Sequence, residues 1–263
     1  VEVHLSIQAA IRAHRQGRPL LLLLDYDGTL VDIAPRPELA RPDEELLVLL
    51  QRLTARPDLR VLIVSGRPVA DLQALLPVPG LDFLGSHGGE ALIAGRRYVL
   101  AEGYAEPGEL ARWRGQLAAR LQDFRGWWLE DKPHGCALHY RQVSAREIPE
   151  FLERLAGWQE EVGQAPGLQL LAGKKVLELL PKGVGKGPAI RNLLVLPGFL
   201  GCFPIYLGDD VTDESAFLVL RDRGLTIKVG GLAGDTAATH VLPDPEAVRQ
   251  FLGQLAASPE DFS

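Results

Sequence analysis

Two carboxylates two positions apart, in Asp25-Tyr26-Asp27-Gly28-Thr29-Leu30, directly follow the apolar run Leu20–Leu24. Side chains at i and i+2 of a strand point to the same side, so both acids can face one site. A carboxylate can attack phosphorus and carry it as an aspartyl phosphate. A second can protonate the leaving oxygen and then deprotonate water. Gly28 permits a tight turn, and Thr29 offers a hydroxyl and an N–H to phosphate oxygens. The same residues suit a plain turn with a helix cap, but two acids beyond a buried strand are costly without a metal or partners.

Three further polar signals follow apolar runs or open a helix. In Ser65-Gly66-Arg67 the serine can bond a phosphate oxygen, Gly66 lets the backbone approach, and Arg67 adds a cation. An ordinary N-cap with a loop glycine fits these residues too. Lys186, in Lys182-Gly183-Val184-Gly185-Lys186-Gly187, stands beside a predicted helix start, which suits phosphate. A solvated lysine is the simpler alternative. A nucleotide-binding loop is not, since Gly187 stands where Ser or Thr is needed. Gly208-Asp209-Asp210-Val211-Thr212-Asp213-Glu214 gathers acids suited to a hard, oxygen-liganded cation such as Mg²⁺, although Asp213 would also serve as a helix cap.

Together the four signals fit one pocket. Two charges ~4 Å apart interact by roughly 4 kcal/mol at an effective dielectric of 20. Asp25, Asp27, Asp209 and a phosphate dianion therefore need Mg²⁺ and Lys186 as counter-charges. Positioning and charge neutralisation then carry most of the catalysis.

The elements that must hold these residues are legible as periodicity. Buried strands are predicted at Leu20–Asp25, Arg60–Ser65 and Leu81–Gly85, alternating with helices at Pro42–Ala55 and Val69–Leu76, after a short helix at Ser6–Arg15. That alternation predicts an open parallel α/β sheet, with ligands beyond the carboxyl ends of its strands. A hairpin turning at Gly95 follows, over Ala91–Leu100. The texture then becomes helix–strand–strand–helix–strand–strand: Glu109–Phe124, Trp127–Glu130, Cys136–Arg141, Ala145–Val162, Leu168–Leu171 and Val176–Leu180. After Pro181 the first texture returns, with helices at Gly187–Leu194, Asp213–Leu220 and Pro245–Leu255 and strands at Pro204–Leu207 and Leu225–Val229. One α/β domain, residues 1–103 and 182–263, is thus expected to carry an α+β insert over 104–181 on a mostly antiparallel sheet.

The chain of 263 residues, 46% hydrophobic and 24% charged, can bury a substantial core. A net charge of −6 argues against nucleic acid or anionic lipid as a partner. The run Leu20–Leu24 is too short to span a bilayer and no cationic segment with a cleavage site precedes it. A soluble, cytoplasmic monomer is expected. Cys136 and Cys202 lack metal-ligand spacing and suit apolar thiols.

The four signals resemble the motifs of the haloacid dehalogenase superfamily, which implies a Rossmann-like core with an inserted cap. By that resemblance Asp25 is the nucleophile and Asp27 the general acid and base, while Ser65 and Lys186 hold the phosphoryl group. Asp25, Asp209 and the backbone carbonyl of Asp27 would ligate Mg²⁺, supported by Asp210 and Asp213. More narrowly, the chain is similar to trehalose-6-phosphate phosphatases over nearly its full length. The matching segments add Gly85-Ser86-His87-Gly88-Gly89-Glu90 and Leu138-His139-Tyr140-Arg141 to those above. This implies sugar contacts from Glu130, Lys132 and Glu178, a substrate-contact or structural role for His87, and a small sugar phosphate as the partner. Glu178-Leu179-Leu180-Pro181 departs from the family's frequent Glu-Val-Arg-Pro, removing a basic residue. Phosphatases of sucrose phosphate or mannosyl-phosphoglycerate, and a binding or regulatory module that has lost catalysis, remain alternatives.

Overall fold

The computed structural model describes residues 7, 11–12, 17–101, 103, 105–231 and 235–257. Most of the helix expected at Ser6–Arg15 lies outside them. The chain divides into two compact units, Val1–Ala101 with Gly185–Ser263, and Glu102–Val184.

The first unit is built on β1 (Leu20–Asp25), β2 (Leu59–Val64), β3 (Asp82–Gly85), β4 (Glu90–Ile93), β5 (Arg96–Tyr98), β10 (Phe203–Gly208), β11 (Leu225–Val229) and β12 (His240–Leu242). Their order across the sheet is β12-β11-β10-β1-β2-β3-β4-β5. Strands β12 to β3 are parallel, and the hairpin β4–β5 continues the sheet antiparallel. The expected parallel sheet therefore ends in an antiparallel edge. Strand β12 was not expected: three residues ahead of Pro243 carry too little periodicity to announce a strand.

Both faces of β1 are buried, which explains its unbroken leucine run. Leu20, Leu22 and Leu24 join one core, with Leu46, Leu50 and Leu53 of α1 (Glu44–Thr54), Val69 and Leu72 of α2 (Val69–Leu75) and Phe251 and Leu255 of α7 (Pro245–Ala257). Leu21 and Leu23 join the other, with Ala189, Ile190 and Leu193 of α5 (Lys186–Leu193) and Ala216, Phe217 and Leu220 of α6 (Val211–Leu220). Asp25 continues the Leu21–Leu23 alternation, so it emerges on the side of α5 and α6. The strand order reverses direction at β1, flanked by β2 and β10, and such a switch point leaves a crevice at the strands' carboxyl ends.

The second unit comprises α3 (Pro107–Leu121), β6 (Trp128–Lys132), β7 (Gly135–His139), α4 (Ile148–Gly163), β8 (Leu168–Gly173) and β9 (Val176–Pro181). Its four strands lie in the order β6-β7-β9-β8, every pair antiparallel. Cys136, Leu138, Leu168, Leu177 and Leu179 face the helices and pack on Trp113, Leu117, Phe151, Leu155 and Trp158. The period-2 alternation then sends Glu130, Lys132, His139 and Glu178 to the opposite face.

Candidate active site

The carboxyl ends of β1, β2 and β10 bring the sequence motifs of the first unit together. Asp25 is 4% exposed. Its Oδ1 accepts a hydrogen bond from Lys186 Nζ at 2.8 Å, and Thr29 Oγ1 donates to its Oδ2 at 3.2 Å. Lys186, at the first position of α5, also reaches Asp213 Oδ1 at 2.7 Å. Burial pushes the Asp25 carboxyl well above its ordinary range; Lys186 opposes this, while Asp213 and Asp209 add to it. Burial alone would lower the Lys186 ammonium, but the charges of Asp213 and Asp25 outweigh it and hold it well above its usual value. Asp213 is likewise opposed by burial, yet Lys186 keeps it below the usual carboxylate range.

Asp25, Asp209 and Asp213 each place one carboxylate oxygen within 4.8 Å of the others, all buried. Three buried carboxylates, two of them bridged by Lys186, form a donor set that fits a divalent cation. Within the trio Asp213 is already engaged at both oxygens, Oδ1 by Lys186 and by the Tyr206 hydroxyl at 2.6 Å, and Oδ2 by the Asp210 N–H at 2.8 Å. Asp25 is likewise engaged at both oxygens, Oδ1 by Lys186 and Oδ2 by Thr29. Asp210 forms a capping box with Asp213 at the start of α6.

Two glycines let these groups close in. Gly28 has φ +86°, and a Cβ there would lie 2.3 Å from Asp209 Oδ2. A Cβ on Gly66 would lie 2.5 Å from His87 Nε2. His87 is buried against this backbone with φ 54°, and its N–H donates to Ser65 O at 3.0 Å. The structure thus places His87 on the Ser65-Gly66-Arg67 loop. Ser65, itself buried, accepts the Arg67 N–H at 3.1 Å. The Arg67 side chain turns to Asp27, with Nε 2.7 Å from Oδ2 and Nη2 2.7 Å from Oδ1.

The second unit assembles its own polar set. In register, Glu130 and Glu178 flank Ala137 from the two neighbouring strands. Lys132 Nζ pairs with Glu178 Oε1 at 2.9 Å, and His139 Nε2 lies 2.7 Å from Glu130 Oε2. Burial acts to raise the Glu130 carboxyl, but its bond to His139 and the Lys132 charge bring it below the usual glutamate value. Trp128 stacks on the His139 ring at 4.7 Å with an interplanar angle of 4°. Leu180 is fully buried and shares the face of Glu178.

Sequence reasoning missed Tyr206, Glu90 and the Arg67–Asp27 pair. Tyr206 carried a signal, since a phenol inside an apolar run must find an acceptor. Glu90, whose Oε2 accepts Val69 N–H at 3.0 Å and Ser86 Oγ–H at 3.2 Å, had none beyond its place in a motif.

The trehalose-phosphatase family model matches residues 23–243. A Mycobacterium tuberculosis protein named as an uncharacterized glycosyl hydrolase is 36% identical over 262 residues, covering 96% of this chain and 19% of that one. The trehalose-6-phosphate phosphatase of Escherichia coli is 34% identical over 238 residues, covering 89% of this chain and 85% of that one. The structure of the Candida albicans trehalose-6-phosphate phosphatase C-terminal domain superposes with a TM-score of 0.83 at 25% identity, covering 95% of this chain and 96% of that one. The chain spans about a fifth of the length of its mycobacterial relative. With the matched model spanning residues from β1 to beyond β12, the chain belongs to the trehalose-phosphatase family.

Proposed function

We propose that this chain hydrolyses trehalose 6-phosphate to trehalose and inorganic phosphate, as a cytoplasmic monomer with no nucleic-acid or membrane partner. The observation that carries the proposal is the buried Asp25 carboxylate, bonded to Lys186 and Thr29 and flanked by Asp209, at the sheet's switch point. Asp25 attacks phosphorus, the P–O bond to the sugar breaks, and Asp27 gives its proton to the leaving oxygen. Asp27 then takes a proton from the water that attacks the aspartyl phosphate, returning both carboxyls to their starting state. Lys186, Ser65, Thr29 and the backbone at Gly28 and Gly66 hold phosphoryl oxygens, and Lys186 offsets their charge. Asp25, Asp209 and the Asp27 carbonyl would hold Mg²⁺, which supplies Lewis-acid polarisation and charge neutralisation when bound.

In the second unit, Glu130, Lys132 and Glu178 offer charged donors and acceptors to sugar hydroxyls. Such groups reject analogues that leave them unpaired. Support for trehalose 6-phosphate comes from the family membership and from these cap positions. Leu180, apolar beside Glu178 where the family often has a basic residue, favours a second reading in which another sugar phosphate is the preferred ester.

Asp25→Asn tests the chemistry. The variant is expected to fold, to lose about three orders of magnitude or more in kcat, and to yield no phosphopeptide after acid quenching, whereas the unsubstituted chain yields one containing residue 25. A variant that keeps a tenth of the activity would overturn the assignment.

A further inference from the structure

The fork of Arg67 grips Asp27 at both oxygens, each at 2.7 Å. The arginine is itself anchored from several sides. Its Nη2 also donates to Pro37 O at 2.8 Å, and its guanidinium carbon lies 5.2 Å from the centre of the Tyr26 ring. Tyr26 is in turn fixed by its hydroxyl, which donates to Ala40 O at 3.0 Å. The Arg67 backbone is held as well, by Ser65 Oγ and by the Ser86 N–H at 2.8 Å from its carbonyl. Side-chain exposure is 12% for Arg67 and 36% for Asp27, so the arginine is the fixed member and the carboxylate the more accessible one.

Parallel N–H···O bonds set the plane of a carboxylate as well as its place. A proton donor and acceptor must present one oxygen to the leaving atom and then to water, within hydrogen-bond reach. We propose that Arg67 is the positioning residue for Asp27. It fixes the carboxylate by two bonds while Asp27 is ionised, and keeps one of them once the other oxygen has taken up from solvent the proton that it gives to the leaving oxygen and regains from the attacking water. This rests on the acid–base role given to Asp27 above, and it gives the arginine a task other than direct phosphate contact. A lysine, with a point-like ammonium, cannot reproduce the fork.

A double-substitution cycle of Arg67→Lys and Asp27→Asn on the full chain tests it. General acid–base catalysis contributes about 10²–10⁴-fold, and loss of alignment is expected to cost about 30-fold in kcat on the sugar phosphate, with KM within about 2-fold. p-Nitrophenyl phosphate makes the slow Asp27→Asn background measurable, because its leaving group needs no proton. There, Arg67→Lys is expected to change the rate of the nitrophenolate burst by less than about 2-fold. Inhibition by orthophosphate should stay within about 2-fold in both backgrounds. Costs that multiply across the two backgrounds, or a tenfold loss of orthophosphate affinity, would overturn the proposal and place Arg67 on the phosphate. Equal loss of thermal stability and activity, restored on cooling, would reduce it to a scaffold residue and overturn it too. Unimpaired turnover of the sugar phosphate by Asp27→Asn alone would instead strike the acid–base role on which the proposal rests.

Discussion

The Asp209 carboxylate rests on Gly28, so close that a Cβ at that position would lie 2.3 Å from Oδ2 and 2.4 Å from Cγ. The glycine also has φ +86°, where a side chain is strained whatever the space. The loop after β1 and the end of β10 thereby meet closely, and Asp209, proposed as a metal ligand, is seated against a residue that has no side chain.

Gly28→Ala is accordingly expected to cost more than the ~1 kcal/mol of an ordinary left-handed alanine, because Asp209 must also move. We expect about 2–3 kcal/mol of lost stability, within the range for strain combined with overpacking. Chemical denaturation measures it, and Mg²⁺ titration should show weakened affinity alongside. An unchanged Mg²⁺ affinity would separate Gly28 from the metal site.

Lys186 stands between Asp25 and Asp213, at 2.8 and 2.7 Å, with every side chain in the trio buried. Breaking a buried ion pair by removing one partner costs about 3–5 kcal/mol. Lys186→Ala should fall in that range and lose activity on every phosphate ester. A divalent cation stabilises a fold by about 2.7 kcal/mol at a concentration 100 times its Kd. Mg²⁺ should therefore raise the melting temperature of the variant by more than it raises that of the parent, and equal shifts would argue that the ion and the lysine do not share the same carboxylates.

His139 and Glu130 make a pH-dependent contribution in the second unit. The folded-state carboxyl of Glu130 lies below its ordinary value of 4.5, against the pull of burial, because His139 bonds it. A depressed carboxyl stabilises the fold above its unfolded value, and that contribution fades as pH falls through the folded value. The window is thus acidic, below 4.5. His139→Ala should flatten the decline of the urea midpoint with falling pH in this window, and parallel curves for parent and variant would remove the pair from the account.

Much of this architecture was legible because periodicity and chemistry agreed. The unbroken Leu20–Leu24 run could only be a strand buried on both faces, and the acids after it had to lie at a strand end. The change of texture after the β4–β5 hairpin marked the second unit's elements for the same reason. Strand β12 escaped because three residues show no period, and the antiparallel edge escaped because a hairpin does not declare which sheet it joins. In the site, Lys186, Asp209 and Asp213 could be named from motif spacing. The partnership of Arg67 with Asp27 could not, since 40 residues separate them and only the fold sets where an arginine fork points. The Tyr206 phenol signalled a need for an acceptor, but only the fold shows that Asp213 meets it.

The most direct test of the account is phosphate release with and without Mg²⁺ across trehalose 6-phosphate, sucrose 6-phosphate, glucose 6-phosphate and mannosyl-phosphoglycerate. The account predicts Mg²⁺-dependent turnover with kcat/KM for trehalose 6-phosphate at least about tenfold above every other ester, a transition-state difference of about 1.4 kcal/mol. Turnover centred on another ester would contradict the sugar assignment and direct attention to Leu180. The absence of turnover on all four, with the chain folded and Mg²⁺ present, would contradict the phosphatase itself.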